Sequence, residues 1–258
     1  MTRRHVLFDC EGSHLVGTVD EGCETTGLLI VTGGNELRAG AWAGQAGFAA
    51  RIAAEGFPVF RFDRRGTGDS EGGNGGFRTS EPDIAAALAT FRCAVPSLGR
   101  VVAMGNCDAA SALMLSGGKG FDGLILSNPW TFEDDGQDSA PPEAVRDHYK
   151  RRLTDPAAIR RLLTGKVSIG KLFGSLGNAV KPAQPASSLS QEMAHRIADF
   201  SGGVVFPVAE RDRTAQAFLA NWKKNDPRIR RCPDASHSFV EPHARDWLAA
   251  LVLETLRA

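Results

Sequence analysis

One stretch constrains this chain more than any other: Arg100 to Ser116, RVVAMGNCDAASALMLS. A short apolar run, Val101 to Met104, meets Gly105-Asn106-Cys107-Asp108-Ala109, and a small-residue helix carrying Ala112, Leu113 and Leu115 follows. A strand that enters a helix through a turn with a nucleophilic residue between small neighbours is a nucleophile elbow, written here G-x-C-x-A where G-x-S-x-G is usual. The turn lifts the central side chain above the sheet. Gly105 and Ala109 are small because bulk at either place would strike the adjoining strand and helix. A thiol at a helix N-terminus has its thiolate favoured by the dipole and attacks carbonyl carbon readily. Asp108 suits the helix start but opposes a neighbouring thiolate, so the thiolate is expected to depend on a histidine.

The rest of the chain supplies a sheet around that elbow. Residues 5–9 and 14–19 predict an antiparallel hairpin about Glu11-Gly12-Ser13. Apolar strands are predicted at Gly27 to Thr32, Phe57 to Phe62, Gly123 to Ser127 and Val204 to Ala209, and a short strand near Ile229 to Cys232. Helices alternate with them: one through Trp42, Phe48 and Ile52, one through Ile84, Leu88 and Phe91, one through Phe218 and Trp222, and a closing amphipathic helix of Trp247, Leu248, Leu251, Val252 and Leu256. This alternation predicts an α/β fold, a mostly parallel eight-stranded sheet covered by helices on both faces. A chain of 258 residues is long enough for one such domain.

The pattern breaks after Asn128-Pro129-Trp130. About seventy residues, 131–201, pass without a clear strand, far beyond an ordinary connection. Residues 144–153 and 156–163 read as helices rich in arginine and lysine, and 174–190 as a Gly, Ser, Ala and Pro stretch expected to be mobile. The segment is read as a helical cap inserted over the site, with a solvated helical pair as the plainer alternative.

Charge and cysteine usage exclude several functions. Lys and Arg total 30 and so do Asp and Glu, so no overall field draws the chain to nucleic acid or to an anionic membrane. No apolar run approaches the roughly 20 residues that span a bilayer, and the first ten residues have no signal-like apolar core; a cytoplasmic location is expected. Five cysteines without a CxxC spacing suggest neither a disulfide framework nor a zinc site. Cys232, Asp234 and His237 have poor spacing for a metal. Neither a metal nor a cofactor is expected.

A cysteine nucleophile needs a base, and the base an orienting acid. In elbow folds these follow in the order nucleophile, acid, base, on loops after later strands. Asp212, in Glu210-Arg211-Asp212-Arg213, is the candidate acid, with Glu210 as rival; the place after Ser127, where some relatives carry the acid, holds Asn128. His237, in the loop from Pro233 to Phe239, is the candidate base, with His243 as rival. The oxyanion formed on attack needs preorganised N–H donors: the backbone of Asp108 is one, and Gly34 or Asn35, after the third strand, the other. Arg38 and Trp130 are the candidate substrate-binding residues, Arg38 and the cap arginines toward an anionic group.

Asp63-Arg64-Arg65-Gly66-Thr67-Gly68-Asp69-Ser70 resembles the D-x-R-G-x-G-x-S turn frequent in the α/β-hydrolase superfamily, where it is mainly structural. More narrowly, LLIVTGGNELRAG, FRFDRRGTGDSEG, GNCDAASALML and LSNPW are similar to the exosortase A system-associated hydrolase 1 group, found with bacterial exopolysaccharide and protein-sorting genes. The resemblance implies an α/β-hydrolase fold with a cysteine elbow; the chain departs from the wider superfamily in Cys107 for Ser and Ala109 for Gly. The expected function is hydrolysis of a small-molecule ester or thioester through an acyl-cysteine. An acyltransferase, or a non-catalytic binding protein of such a biosynthetic system, are the alternatives.

Overall fold

A computed structural model describes residues 2–132 and 187–258. The helices expected at 144–153 and 156–163, and most of the expected cap, lie outside these residues. The strands are β1 (Arg3–Cys10), β2 (Ser13–Asp20), β3 (Thr26–Val31), β4 (Val59–Phe62), β5 (Arg100–Asn106), β6 (Gly123–Ser127), β7 (Gly203–Ala209) and β8 (Ile229–Cys232). The helices are α1 (Gly44–Ala54), α2 (Glu81–Ala94), α3 (Asp108–Leu115), α4 (Ser188–Arg196), α5 (Arg213–Asn221) and α6 (Pro242–Arg257). The eight strands form one sheet in the order β1-β2-β4-β3-β5-β6-β7-β8. Only β1 and β2 run antiparallel to their neighbours; β4 to β8 and β3 are parallel. This is the α/β-hydrolase arrangement predicted above.

The central strands β3, β5 and β6 are almost continuously apolar because both faces of the sheet are covered there. Alternate side chains point to opposite sides, and the core divides accordingly. Leu29, Val31, Val101, Ala103, Leu124 and Leu126 pack with Phe91 of α2, Leu113 of α3, Met193 of α4 and Phe218 of α5. Leu28, Ile30, Val102, Met104 and Ile125 pack with Ile52 of α1 and Leu248 and Val252 of α6. Each large apolar side chain fully buried here contributes roughly 1.5–3 kcal/mol. Right-handed crossovers decide which helix covers which face: the chain steps from β3 to β4 over α1, then back past β3 to β5 over α2. That reversal leaves β3 and β5 adjacent with diverging connections, and a crevice opens beyond their C-terminal ends.

Two local expectations are corrected. Trp42 is not on the buried face of α1: it is fully exposed, in a short turn with φ 54° before the helix. The end of the Gly, Ser, Ala and Pro stretch is ordered helix rather than mobile chain, because the Ser187 side chain caps α4 by accepting the Ser190 N–H. Leu189 and Met193 of α4 are buried in the main core.

Candidate active site

The elbow forms where β5 ends beside β3. Gly105 is required there, since a Cβ would stand 2.7 Å from the Ala109 carbonyl carbon and 2.8 Å from the Ala110 nitrogen. Cys107 then takes φ 60° and ψ −127°, a conformation costing of order 1–3 kcal/mol for a residue with a Cβ. It persists because the surroundings over-determine it. The Cys107 N–H donates to Ser127 O at 3.0 Å, and its carbonyl accepts the Trp130 N–H at 3.2 Å and the Ser111 N–H at 3.3 Å. Trp130 is thereby clasped to the elbow, with its own carbonyl accepting Ser111 Oγ at 2.8 Å.

The five cysteines are all unpaired, and their surroundings differ. Burial, aided by Asp83, pushes the Cys10 thiol up to about 11, and burial also raises Cys232; such thiols are inert. Cys107 is half-buried and instead lies beside the His237 imidazole, whose pKa it helps to raise.

His237 Nδ1 lies 2.9 Å from Asp212 Oδ2. Asp212 follows β7 and caps α5, its carboxylate accepting the N–H groups of Thr214 at 3.2 Å and Ala215 at 3.0 Å. The hydrogen bond to Asp212, then that to Cys107, raises the His237 pKa to about 10, against the opposing effect of burial. Near neutral pH the ring therefore holds its proton. The rivals stand elsewhere: His243 Nε2 is 2.9 Å from the Pro233 carbonyl, and Asp212, rather than Glu210, meets the His237 ring.

Two asparagines that the sequence did not single out for this role hold the His237 loop. The His237 carbonyl accepts Nδ2 of Asn128 at 3.0 Å and Nδ2 of Asn106 at 3.3 Å. Asn128 Nδ2 also donates to Asn106 Oδ1 at 3.0 Å, and Asn128 Oδ1 accepts the Ala209 N–H at 2.9 Å. Asn128 is fully buried at φ 43°. It stitches the ends of β5, β6 and β7 to the base. Its position in LSNPW signalled only that an acid was missing there.

The remaining expected site residues divide. The Asp108 N–H, first in α3, has no carbonyl in its own helix to bond. The Gly34 N–H is already engaged, donating to Asp108 Oδ1 at 2.7 Å. Arg38 is turned to the scaffold: its guanidinium pairs with Asp63 and, at 2.8 Å, with Asp69, and its Nε donates to Thr18 Oγ1 at 3.2 Å. Trp130 packs on Phe132 with ring centroids 4.6 Å apart. Among the described residues no three His, Cys, Asp or Glu side chains gather where they could hold a metal ion. No described helix is long and apolar enough to cross a membrane.

Solved structures of similar fold include the Pyrococcus furiosus esterase Pf2001, at 13% identity and TM-score 0.64, covering 99% of this chain and 90% of that one. Est1E from Butyrivibrio proteoclasticus, solved with ferulic acid, has 15% identity and TM-score 0.60 over 98% of this chain and 100% of that one. The thioesterase domain from the curacin biosynthetic pathway has 16% identity and TM-score 0.55, again over 98% and 100%. Identities this low speak for the fold alone. No curated protein matches the sequence. Residues 28–251, from the third strand to the closing helix and so including the elbow, match the Alpha/beta hydrolase family, and the chain belongs to that family.

Proposed function

We propose that the protein is an acyl-transfer enzyme that hydrolyses an ester or thioester through an acyl-cysteine, with Cys107 as nucleophile, His237 as acid and base, and Asp212 as the group that orients His237. The observation that carries this reading is the strained Cys107 at the elbow beside an imidazole that Asp212 holds at 2.9 Å. The sulfur adds to the carbonyl carbon while the C=O electron pair moves to oxygen. Collapse of that oxyanion re-forms the carbonyl and breaks the bond to the leaving group, which takes the His237 proton. With its proton given to the leaving group the ring is neutral, and it draws the proton from an incoming water whose oxygen adds to the acyl carbon. Collapse of this second oxyanion breaks the C–S bond, releasing the acid and returning the sulfur to its place beside the reprotonated His237. Esterase and thioesterase chemistry among proteins of similar fold is in keeping with this reading.

On the resemblance of the elbow to the exosortase A system-associated group, such an enzyme would serve an exopolysaccharide or protein-sorting system. Trp130, clasped to the elbow, is the proposed substrate wall. Intact-mass measurement after exposure to activated esters and thioesters tests the reading. The wild type is expected to gain one acyl group and Cys107→Ala none; a label retained in the variant would refute the nucleophile. Adding alcohol or amine acceptors separates hydrolysis from transfer by the product released.

A further inference from the structure

Arg64 occupies the variable place in the turn after β4 and has so far no part in the chemistry. It is 2% exposed, and its Nε has no hydrogen-bond partner. A buried guanidinium with an idle donor costs stability, which directs attention to what its other nitrogens hold. Nη1 donates to Ser80 Oγ at 2.8 Å. Nη2 donates to Gly34 O at 2.6 Å and stands 3.6 Å from Asp108 Oδ2. One nitrogen thus touches both segments that the acyl-transfer reading needs for its oxyanion donors.

Gly34 is spent as a donor by its bond to Asp108 Oδ1. Gly33 permits that bond, since a Cβ there would stand 2.5 Å from the same oxygen. The Gly34 carbonyl belongs to the Gly34–Asn35 peptide, and in a trans peptide the N–H points opposite to the C=O. With Arg64 on the carbonyl side, the Asn35 N–H is directed away from the guanidinium. A cation bonded to the carbonyl oxygen also polarises the unit and strengthens that N–H as a donor. No described residue accepts it, and Asn35 is exposed. Its side chain is anchored, with Asn74 Nδ2 donating to Asn35 Oδ1 at 2.7 Å.

We infer that Arg64 is a positioning residue for acyl transfer: it fixes and polarises the Gly34–Asn35 peptide so that the Asn35 and Asp108 N–H groups receive the oxyanion, while its charge offsets the Asp108 carboxylate beside the thiol. This rests on Cys107 acting as an acyl acceptor.

Two reagents separate such a role from packing. p-Nitrophenyl butyrate acylates the sulfur through an oxyanion, whereas iodoacetamide alkylates it without one. Arg64→Gln is expected to slow acylation about 10²-fold, as loss of an oxyanion donor does. Arg64→Gln combined with Asp108→Asn removes the uncompensated carboxylate, so alkylation returns to the wild-type rate while acylation stays slow. Asn35→Pro deletes the N–H itself without touching buried Arg64, and is expected to lose acylation by a similar factor with alkylation intact. Acylation unchanged in Asn35→Pro, or falling in parallel with alkylation in both the double variant and Asn35→Pro, overturns the assignment. A wild type that is alkylated but never acylated overturns the acyl-transfer reading beneath it, a result distinguishable from the others.

Discussion

On one side of Cys107 the His237 loop is tied down by neutral groups, the amides of Asn106 and Asn128 on the His237 carbonyl; on the other, the loop after β3 is tied down by charges, Arg64 on Gly34 O and Asp108 on Gly34 N–H. Neutral hydrogen bonds are each worth about 1 kcal/mol net and can be lost singly. A largely buried ion pair behaves differently, since removing one partner leaves the other uncompensated. The base is therefore held by many small contributions, and the oxyanion loop by one coupled pair. The acyl-transfer mechanism proposed above would gain from this division: the imidazole must trade its proton in each half-reaction, and neutral amides on its backbone carbonyl add no charge to that of Asp212, whereas the oxyanion donors must not move at all.

Substitutions on the two sides of Cys107 are expected to behave differently. The largest effect is expected for Asp212→Asn, on the order of 10³- to 10⁴-fold in kcat, because the wrong imidazole tautomer is then stabilised. Asparagine caps helices as well as aspartate, so the melting temperature should scarcely change; a large drop in it would mean that Asp212 serves α5 more than His237. Next comes Arg64→Gln, expected to cost about 3 kcal/mol in urea unfolding, the low end for a buried pair because the Asp108 side chain keeps 16% exposure. Adding Asp108→Asn should recover part of that loss, and additive costs would show the two residues to be uncoupled. Asn128→Ala is smaller, about 1–3 kcal/mol, since the Ala209 N–H and the His237 carbonyl each lose a partner; roughly tenfold slower acylation should accompany it, and full activity would dissociate the amide pair from the base.

A further expectation concerns pH. Because the folded His237 pKa, about 10, lies above its ordinary value of 6.5, the stability it contributes is fully present below about pH 6.5 and is lost as pH rises through 10. The unfolding free energies of wild type and His237→Ala are therefore expected to converge above pH 10. A constant difference from pH 6 to 11 would show that the ring is not held protonated.

Much of this was legible before any coordinates. The elbow could be read because its signal is local: a strand, a glycine, a nucleophile and a small residue within five positions. The order of Cys107, Asp212 and His237 could be read because each follows an apolar strand. Trp42, misplaced on the helix face, and Arg38, paired with carboxylates, show one thing. Helical spacing and charge describe what a side chain is able to do, while a left-handed turn at Trp42 and the carboxylates of Asp63 and Asp69 around Arg38 decide what it does.

The amino-acid sequence by itself determined the local elements, the two-faced burial of the strands, and the chain order of thiol, acid and imidazole, because each depends on neighbours a few residues away. Only the tertiary structure decided which backbone N–H groups remain available to a substrate. That depends on pairings between residues distant in the chain, Gly34 with Asp108 and Arg64 with Gly34, which exist only once β3, β4 and β5 lie side by side. The sequence offers two donors here, on Gly34 and Asn35; the fold commits the first to a carboxylate and leaves the second for the reaction we propose.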